Sequence, residues 1–147
     1  MDATSDTFNL QRFVEAQAGV WGQVCAELRA GQKRSHWMWF VFPQIRGLGS
    51  SEMAVRYAIS GRDEARAYLD HPVLGERLRE SAGIMVDLDG RSLEEIFGYP
   101  DNLKFHSSMT LFAEVEGPSE RVFHKALRKY FGGQADKATL ERLSSNR

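Results

Sequence analysis

The feature that most constrains the fold of this chain is an unbroken apolar run from Trp37 to Pro43. Seven residues are far too few to cross a bilayer, and the run is apolar on every side, so it must be buried in protein. The core is therefore expected to form around it. Two structures stay open for the run: a short helix capped by Ser35 and ended at Phe42, or a strand.

The length of the chain fits one domain, 1–147, large enough to bury a core without disulfides or metals. A polar N-terminal tail (about 1–7) and a frayed C-terminus (about 144–147) are expected at its ends. The start of the chain lacks a basic region followed by an apolar one, so no signal peptide is predicted. The single cysteine, Cys25, lies in an apolar helical stripe, which favours an inert core thiol. These features predict a cytoplasmic protein.

The formal net charge of −1 removes the domain-wide basic field typical of nucleic-acid-binding proteins, although a local basic patch remains compatible with it. No nucleic-acid or membrane partner is therefore expected. The four histidines are scattered singly and no Cys/His group has zinc spacing. Neither a metal nor a cofactor is predicted.

Apolar residues recur at helical spacing between glycine and proline breaks, which predicts an all-α domain of about seven or eight mostly short helices. The candidate segments are 10–30 (ended by Gly31), 35–42, 51–59, 63–70, 74–88, 92–97, 102–115, 118–131 and 136–143. Segment 102–115 also fits a strand, with a helix favoured. Within 10–30, a break near Gly19 leaves one helix or two equally open. Its polar residues are expected to face solvent: Gln11, Arg12, Glu15, Gln23, Glu27 and Arg29.

Charged and polar residues that could bind a ligand or transfer a proton concentrate beside the apolar run. Lys33 and Arg34 place two cations next to His36, whose imidazole titrates near neutral pH. The following turn, Arg46 to Glu52, combines a cation, backbone freedom at two glycines, two serine hydroxyls and a helix start. Such a turn can hold an anion, and a plain helix entry explains it equally well.

A second polar group lies on 101–108, where Lys104 shares a helix face with Ser107 and Ser108. We expect the two groups to close on one pocket for an anionic ligand. The catalytic candidates are His36 and Glu52, as acid and base. The ligand-binding candidates are Arg34, Trp37, Gln44, Arg46, Gly47, Gly49, Ser50, Ser51, Lys104 and Ser107.

Several of these stretches resemble the domain of unknown function 1810 family. They are 35–44 (SHWMWFVFPQ), 47–51 (GLGSS), the spaced residues of 64–78, and 103–112 (LKFHSSMTLF). The resemblance runs from Phe8 to Leu143. It implies an all-α bacterial cytosolic domain and brings no established activity with it.

A fainter similarity points to the NADAR family, which processes ADP-ribose derivatives. It runs from Ser51-Glu52 through Arg77-Leu78 to 103–105. That family places a lysine about two helical turns after the acid, where this chain has Tyr57, Ala58 and Ile59. Only Glu52 carries over, so the resemblance implies a related pocket without the reactive lysine.

The first functional hypothesis is therefore a small domain that binds an anionic or nucleotide-like molecule, including ADP-ribose derivatives, near 33–52 and 104–108. The sequence does not decide whether it is an enzyme. The alternative is a protein–protein interaction or regulatory module without catalytic activity, docking through exposed aromatics of 37–42. The third hypothesis is a purely structural or regulatory domain with no pocket.

Overall fold

A computed structural model describes residues 6–119 and 121–145, and the helices below belong to that part of the chain. They are α1 (Gln11–Gln17), α2 (Trp21–Ala30), α3 (Met38–Val41), α4 (Glu52–Arg56), α5 (Arg62–Asp70), α6 (Leu74–Asp87), α7 (Leu93–Phe97), α8 (Asp101–Ala113), α9 (Val122–Phe131) and α10 (Lys137–Ser145). The same residues contain no strand beyond one isolated bridge, between Ile45 and Ile59. The predicted all-α fold class is confirmed.

The first predicted helical segment is two helices. α1 ends at Gln17, and α2 begins at Trp21 after a turn that contains Gly19. Gly31 then ends α2 in the left-handed conformation, with a φ of 73°, which glycine adopts without steric cost. The expectation that Arg12 and Glu27 face solvent is wrong. Both turn inward, because each binds a loop that packs across its helix.

The apolar run forms a short helix, α3, and its residues lie in the core as expected. Trp37 and Phe42 are 2% and 1% exposed, whereas Trp39 is half-buried. Ser35 does not cap the helix, because its hydroxyl binds Glu27 instead. Docking through the aromatics of this run is thus limited to Trp39.

Two predicted helix boundaries are wrong. α4 ends at Arg56 rather than at Ile59, because the Ile59 N–H donates to the Gln44 carbonyl (2.9 Å) and its carbonyl accepts from the Arg46 N–H (2.8 Å). α9 begins at Val122 rather than at Pro118. The Glu116 carboxylate accepts from the first-turn N–H groups of α9 and so sets where that helix starts.

Other local predictions are confirmed. The capping box of Ser92 and Glu95 opens α7, and the helix favoured for 102–115 is α8, which runs from Asp101 to Ala113. The Asp136 carboxylate accepts from the Thr139 N–H (3.1 Å) at the start of α10. Of the predicted termini, residues 1–5 and 146–147 lie outside the described part of the chain.

α8 lies at the centre of the domain and packs against α5, α7, α9 and α10. Its Phe105 ring meets Phe42 of the apolar run edge-on, with ring centroids 5.1 Å apart, and Phe97 of α7 at 5.2 Å. This aromatic cluster joins the two halves of the predicted site through the core. The polar residues of both halves therefore surround a shared hydrophobic centre.

Candidate functional site

The segment just before the apolar run is held by one buried carboxylate, Glu27 of α2. Glu27 is 6% exposed and accepts five hydrogen bonds. The donors are the Gln23 amide (2.9 Å), the Arg34 N–H (2.9 Å), the Ser35 N–H (3.2 Å), the Ser35 hydroxyl (2.7 Å) and the Trp37 indole N–H (2.8 Å). We call Glu27, Gln23, Ser35 and Trp37 the Glu27 cluster.

These hydrogen bonds decide the protonation state of Glu27. Burial by itself raises the pKa of a carboxyl, but the hydrogen bonds from Arg34, Gln23, Ser35 and Trp37 outweigh it and lower the pKa of Glu27 to about 2. The carboxylate is therefore charged at neutral pH and fully engaged. The Glu27 cluster is a structural site that fixes where 33–37 lies on α2.

The two halves of the predicted site meet at Asp101, the first residue of α8. The Asp101 carboxylate lies 2.9 Å from the Lys33 ammonium and 3.5 Å from that of Lys104. The Lys104 ammonium also lies 5.1 Å from the ring centroid of Trp39, in a cation–π arrangement. The Lys104 ammonium, which was expected to attract an anionic ligand, is thus paired with the Asp101 carboxylate.

Ser107 is likewise engaged within the fold. It is 5% exposed, and its hydroxyl lies within hydrogen-bond distance of the Leu103 carbonyl (3.1 Å) and the Asp136 carboxylate (3.3 Å). Its position ties α8 to the start of α10.

The predicted catalytic residues, His36 and Glu52, are both exposed. Among the described residues no hydrogen bond or ion pair joins them, and neither lines the cavities of ≈460 and ≈570 Å³. Arg34 is exposed as well, and its guanidinium donates to the Gln32 side chain (3.1 Å).

The turn after the apolar run behaves as a helix entry. The Ser51 hydroxyl accepts from the Ala54 N–H (3.1 Å) and caps α4, while Gly49, Ser50 and Ser51 are exposed. Gln44 is half-buried, and its carbonyl belongs to the bridge with Ile59.

Arg142 of α10 packs against this turn at Gly47, a contact that the sequence does not predict. Its φ is 100°, and a Cβ at Gly47 would lie 2.7 Å from Cζ of Arg142 on α10. The Arg142 guanidinium is therefore seated directly against the glycine backbone. Any side chain at position 47 would displace it.

Beside Arg46 lies a groove of ≈460 Å³, within the range of small-molecule sites. We call it the arginine groove. Its lining residues come from α4, the start of α5 and the segments around α1 and the bridge: Thr7, Phe8, Asn9, Arg12, Arg46, Val55, Arg56, Ala58, Ser60 and Glu64.

Arg12 and Glu64 form the fixed part of this groove. The Arg12 guanidinium uses all five of its N–H donors. They go to the carbonyls of Phe8, Asn9, Arg56 and Ala58 at 2.6 to 2.8 Å and to the Glu64 carboxylate at 3.0 Å. Glu64, 3% exposed, also accepts from the N–H and hydroxyl of Ser60, both at 2.8 Å. This pair is charge-balanced and holds the walls together.

Arg46 and Arg56 differ from Arg12. Both are exposed, and within residues 6–119 and 121–145 neither side chain makes an ion pair or a hydrogen bond. Glu52 stands one helical turn before Arg56 without pairing to it. With Arg12 balanced by Glu64, the arginine groove keeps two positive charges that no ion pair or hydrogen bond among the described residues engages.

A larger cavity of ≈570 Å³ lies between α7, α8 and α9 and contains no predicted site residue. His106 stacks on Phe131 there, with ring centroids 3.8 Å apart, and its Nε2 lies 2.9 Å from the Gln134 carbonyl. The cations on its wall are engaged: Arg91 Nε donates to the Gly31 carbonyl (3.1 Å) and Lys129 Nζ to the Val86 carbonyl (2.7 Å). The arginine groove is therefore the better candidate for an anion.

Of the residues in the arginine groove, only Arg46 is among the site residues predicted from the sequence. Arg12 and Glu64 are 52 residues apart in the chain, so no local pattern signals their pairing. Arg56 sits in the last turn of α4, where a basic residue is unremarkable because it complements the helix dipole. Among the described residues, no group of His, Cys, Asp and Glu has the arrangement of a metal site. No described helix is long and apolar enough to span a membrane.

Known proteins match this chain over almost its whole length. Residues 7–143 match the family model described as protein of unknown function (DUF1810). The crystal structure of the conserved hypothetical protein Rv1873 from Mycobacterium tuberculosis is 57% identical and superposes with a TM-score of 0.91. The match covers 95% of this chain and 99% of that chain. No curated protein matches the chain. Neither description names a ligand or a reaction.

Proposed function

This chain belongs to the DUF1810 family of proteins of unknown function, and we propose that it binds a phosphorylated, nucleotide-like small molecule in the arginine groove. The observation that carries the proposal is the pair of unpaired guanidinium groups, Arg46 and Arg56, on the rim of a groove whose other charges are balanced.

Two features of the groove favour a phosphate over other anions. Guanidinium groups present planar pairs of N–H donors that match phosphate oxygens, and two of them supply the charge that a phosphate dianion needs. The walls are held in place by the bonds of Arg12, so the groove is formed before a ligand arrives. Less ordering is then required on binding.

The remaining lining favours a ligand with an apolar portion. Val55 is 64% exposed beside Arg56, and Phe8 is half-buried at the opposite segment. A ring or base can contact these side chains while its phosphate meets the arginines. This combination is the reason for proposing a nucleotide-like molecule, including ADP-ribose derivatives, rather than inorganic phosphate.

The proposal uses one of the residues predicted from sequence, Arg46. The ligand-binding roles of the other predicted residues and the acid and base roles of His36 and Glu52 stay predictions, and the proposal does not depend on them. A cytoplasmic location is part of the proposal, because nucleotides are abundant there and the one cysteine is free and buried.

Thermal unfolding in the presence of AMP, ADP, ADP-ribose and inorganic phosphate tests this function. A ligand at about 100 times its Kd stabilises the folded protein by about 2.7 kcal/mol. We expect a nucleotide to shift the melting temperature more than inorganic phosphate does. In Arg46→Gln, Arg56→Gln the affinity should fall about 100-fold, since each lost charged hydrogen bond is worth at least about 1.4 kcal/mol.

The matched control is Arg66→Gln, Lys137→Gln, which removes two exposed charges, on α5 and α10, that do not line the groove and form no ion pair among the described residues. It should bind like the wild type. If no compound shifts the wild type, or if the control loses as much affinity as the groove variant, the arginine groove is not the site.

A further inference from the structure

Three exposed cations follow one another along α9: Arg121 at its N-cap, then Lys125 and Arg128 within the helix. The spacing i, i+4 and i+7 places them on one side of the helix, over about 10 Å of its axis. No acidic residue occurs from 121 to 135. The positive charge of this face is therefore not diluted within its own segment. We call these three residues the α9 stripe.

None of the three side chains has a partner among the described residues. Their basic neighbours on α9 differ in this respect. Lys129 Nζ is held by the carbonyls of Val86 and Leu88, and the His124 ring is bound to Glu116. The Glu116 side chain is 0% exposed and also accepts from the α9 backbone, so it does not neutralise the stripe at the surface.

The rest of α9 shows what kind of polyanion this face can bind. Its residues Phe123, Ala126 and Leu127 are at most 5% exposed, and the half-buried Val122, Tyr130 and Phe131 pack against the core, so the helix has no free apolar face to insert into a lipid surface. The stripe contains no aromatic side chain on which a base could stack. What it offers is a row of cations about 6 and about 4.5 Å apart along the helix axis.

We propose that the α9 stripe binds the phosphate backbone of a nucleic acid without sequence preference. The near-zero net charge of the whole chain argues against a domain-wide basic field, and a single segregated helix face does not require one. Binding through three phosphate contacts is weak and strongly salt-dependent. This surface is distinct from the arginine groove.

Fluorescence anisotropy with a labelled duplex of about 20 base pairs of arbitrary sequence tests the proposal. Three phosphate contacts predict a slope of about −2.7 for log K against log salt, so affinity should fall about 40-fold between about 50 and 200 mM salt. The variant Arg121→Gln, Lys125→Gln, Arg128→Gln should lose binding at low salt. It should keep its fold by circular dichroism, because all three side chains are exposed.

The control variant Arg34→Gln, Arg66→Gln, Lys137→Gln removes the same net charge from three exposed side chains that lie outside α9 and form no ion pair among the described residues, and it should bind the duplex like the wild type. Equal loss in both variants would show a non-local charge effect and overturn the proposal. So would the absence of duplex binding at about 50 mM salt, or binding to vesicles containing phosphatidylserine but not to the duplex. Arg46→Gln, Arg56→Gln should retain duplex binding, which separates this surface from the arginine groove.

Discussion

The Glu27 cluster and the arginine groove both contain residues of the stretch 33–52, yet the charge of the first is paired within the fold and the charges on the rim of the second are unpaired. In the Glu27 cluster a single carboxylate is met by five hydrogen-bond donors of the same chain. On the rim of the arginine groove, the guanidinium groups of Arg46 and Arg56 are met by none among the described residues. The first arrangement stabilises the fold and the second leaves binding capacity for a ligand.

The difference teaches that a high density of charged and polar side chains in a sequence does not by itself mark a binding site. Buried polar groups must find partners, and in a compact domain those partners are usually other parts of the chain. Lys33 and Lys104 illustrate this, since both reach the Asp101 carboxylate. What separates a candidate site from a structural one is whether the charges remain unpaired.

The largest effect is expected for Glu27→Ala. The substitution leaves the Trp37 indole N–H and the backbone N–H groups of Arg34 and Ser35 without their acceptor, and it opens a cavity beneath them. We expect a loss of about 4 kcal/mol in the free energy of unfolding, measured by urea titration. Glu15→Ala, an exposed carboxylate on α1, is the control and should change stability by less than about 0.5 kcal/mol. Similar losses in the two variants would mean that Glu27 has no special role.

A somewhat smaller effect is expected from acid. The folded-state pKa of Glu27, about 2, lies below the ordinary value of 4.5, so its stabilising contribution is present above pH 4.5 and is lost as the pH falls towards 2. The loss is about 3 kcal/mol, from about 1.4 kcal/mol for each pKa unit. The side chain at position 27 cannot ionise in Glu27→Gln. Between pH 4.5 and pH 2, the unfolding free energy of this variant should therefore fall by about 3 kcal/mol less than that of the wild type. Parallel curves for the two proteins would contradict the assignment.

The smallest effect is expected at the rim of the arginine groove. Arg46→Gln, Arg56→Gln removes no intramolecular bond of either side chain, so the unfolding free energy should change by less than about 0.5 kcal/mol while ligand affinity falls. A loss above about 1 kcal/mol would show that these arginines are structural, like Arg12, and would erase the contrast with the Glu27 cluster.

The elements that depend on neighbouring residues are predictable from the sequence. The helical class, the capping box at Ser92, the end of α2 at Gly31 and the burial of the apolar run each follow from local spacing, local backbone preference or local hydrophobicity. Two helix boundaries are not, because a distant group sets them. α4 stops early because Ile59 pairs with Ile45, and α9 starts late because the Glu116 carboxylate accepts from its first turn.

The candidate site divides in the same way. The sequence alone determined that an all-α core surrounds the apolar run and that cations and hydroxyls cluster beside it, because composition and helical periodicity are local properties. Only the tertiary structure decided that Arg12 faces inward to Glu64, 52 residues away, while Arg46 and Arg56 remain unpaired. The physical reason is that a charge becomes available to a ligand when folding brings no counter-charge to it, and that depends on contacts between segments that no single stretch of sequence contains.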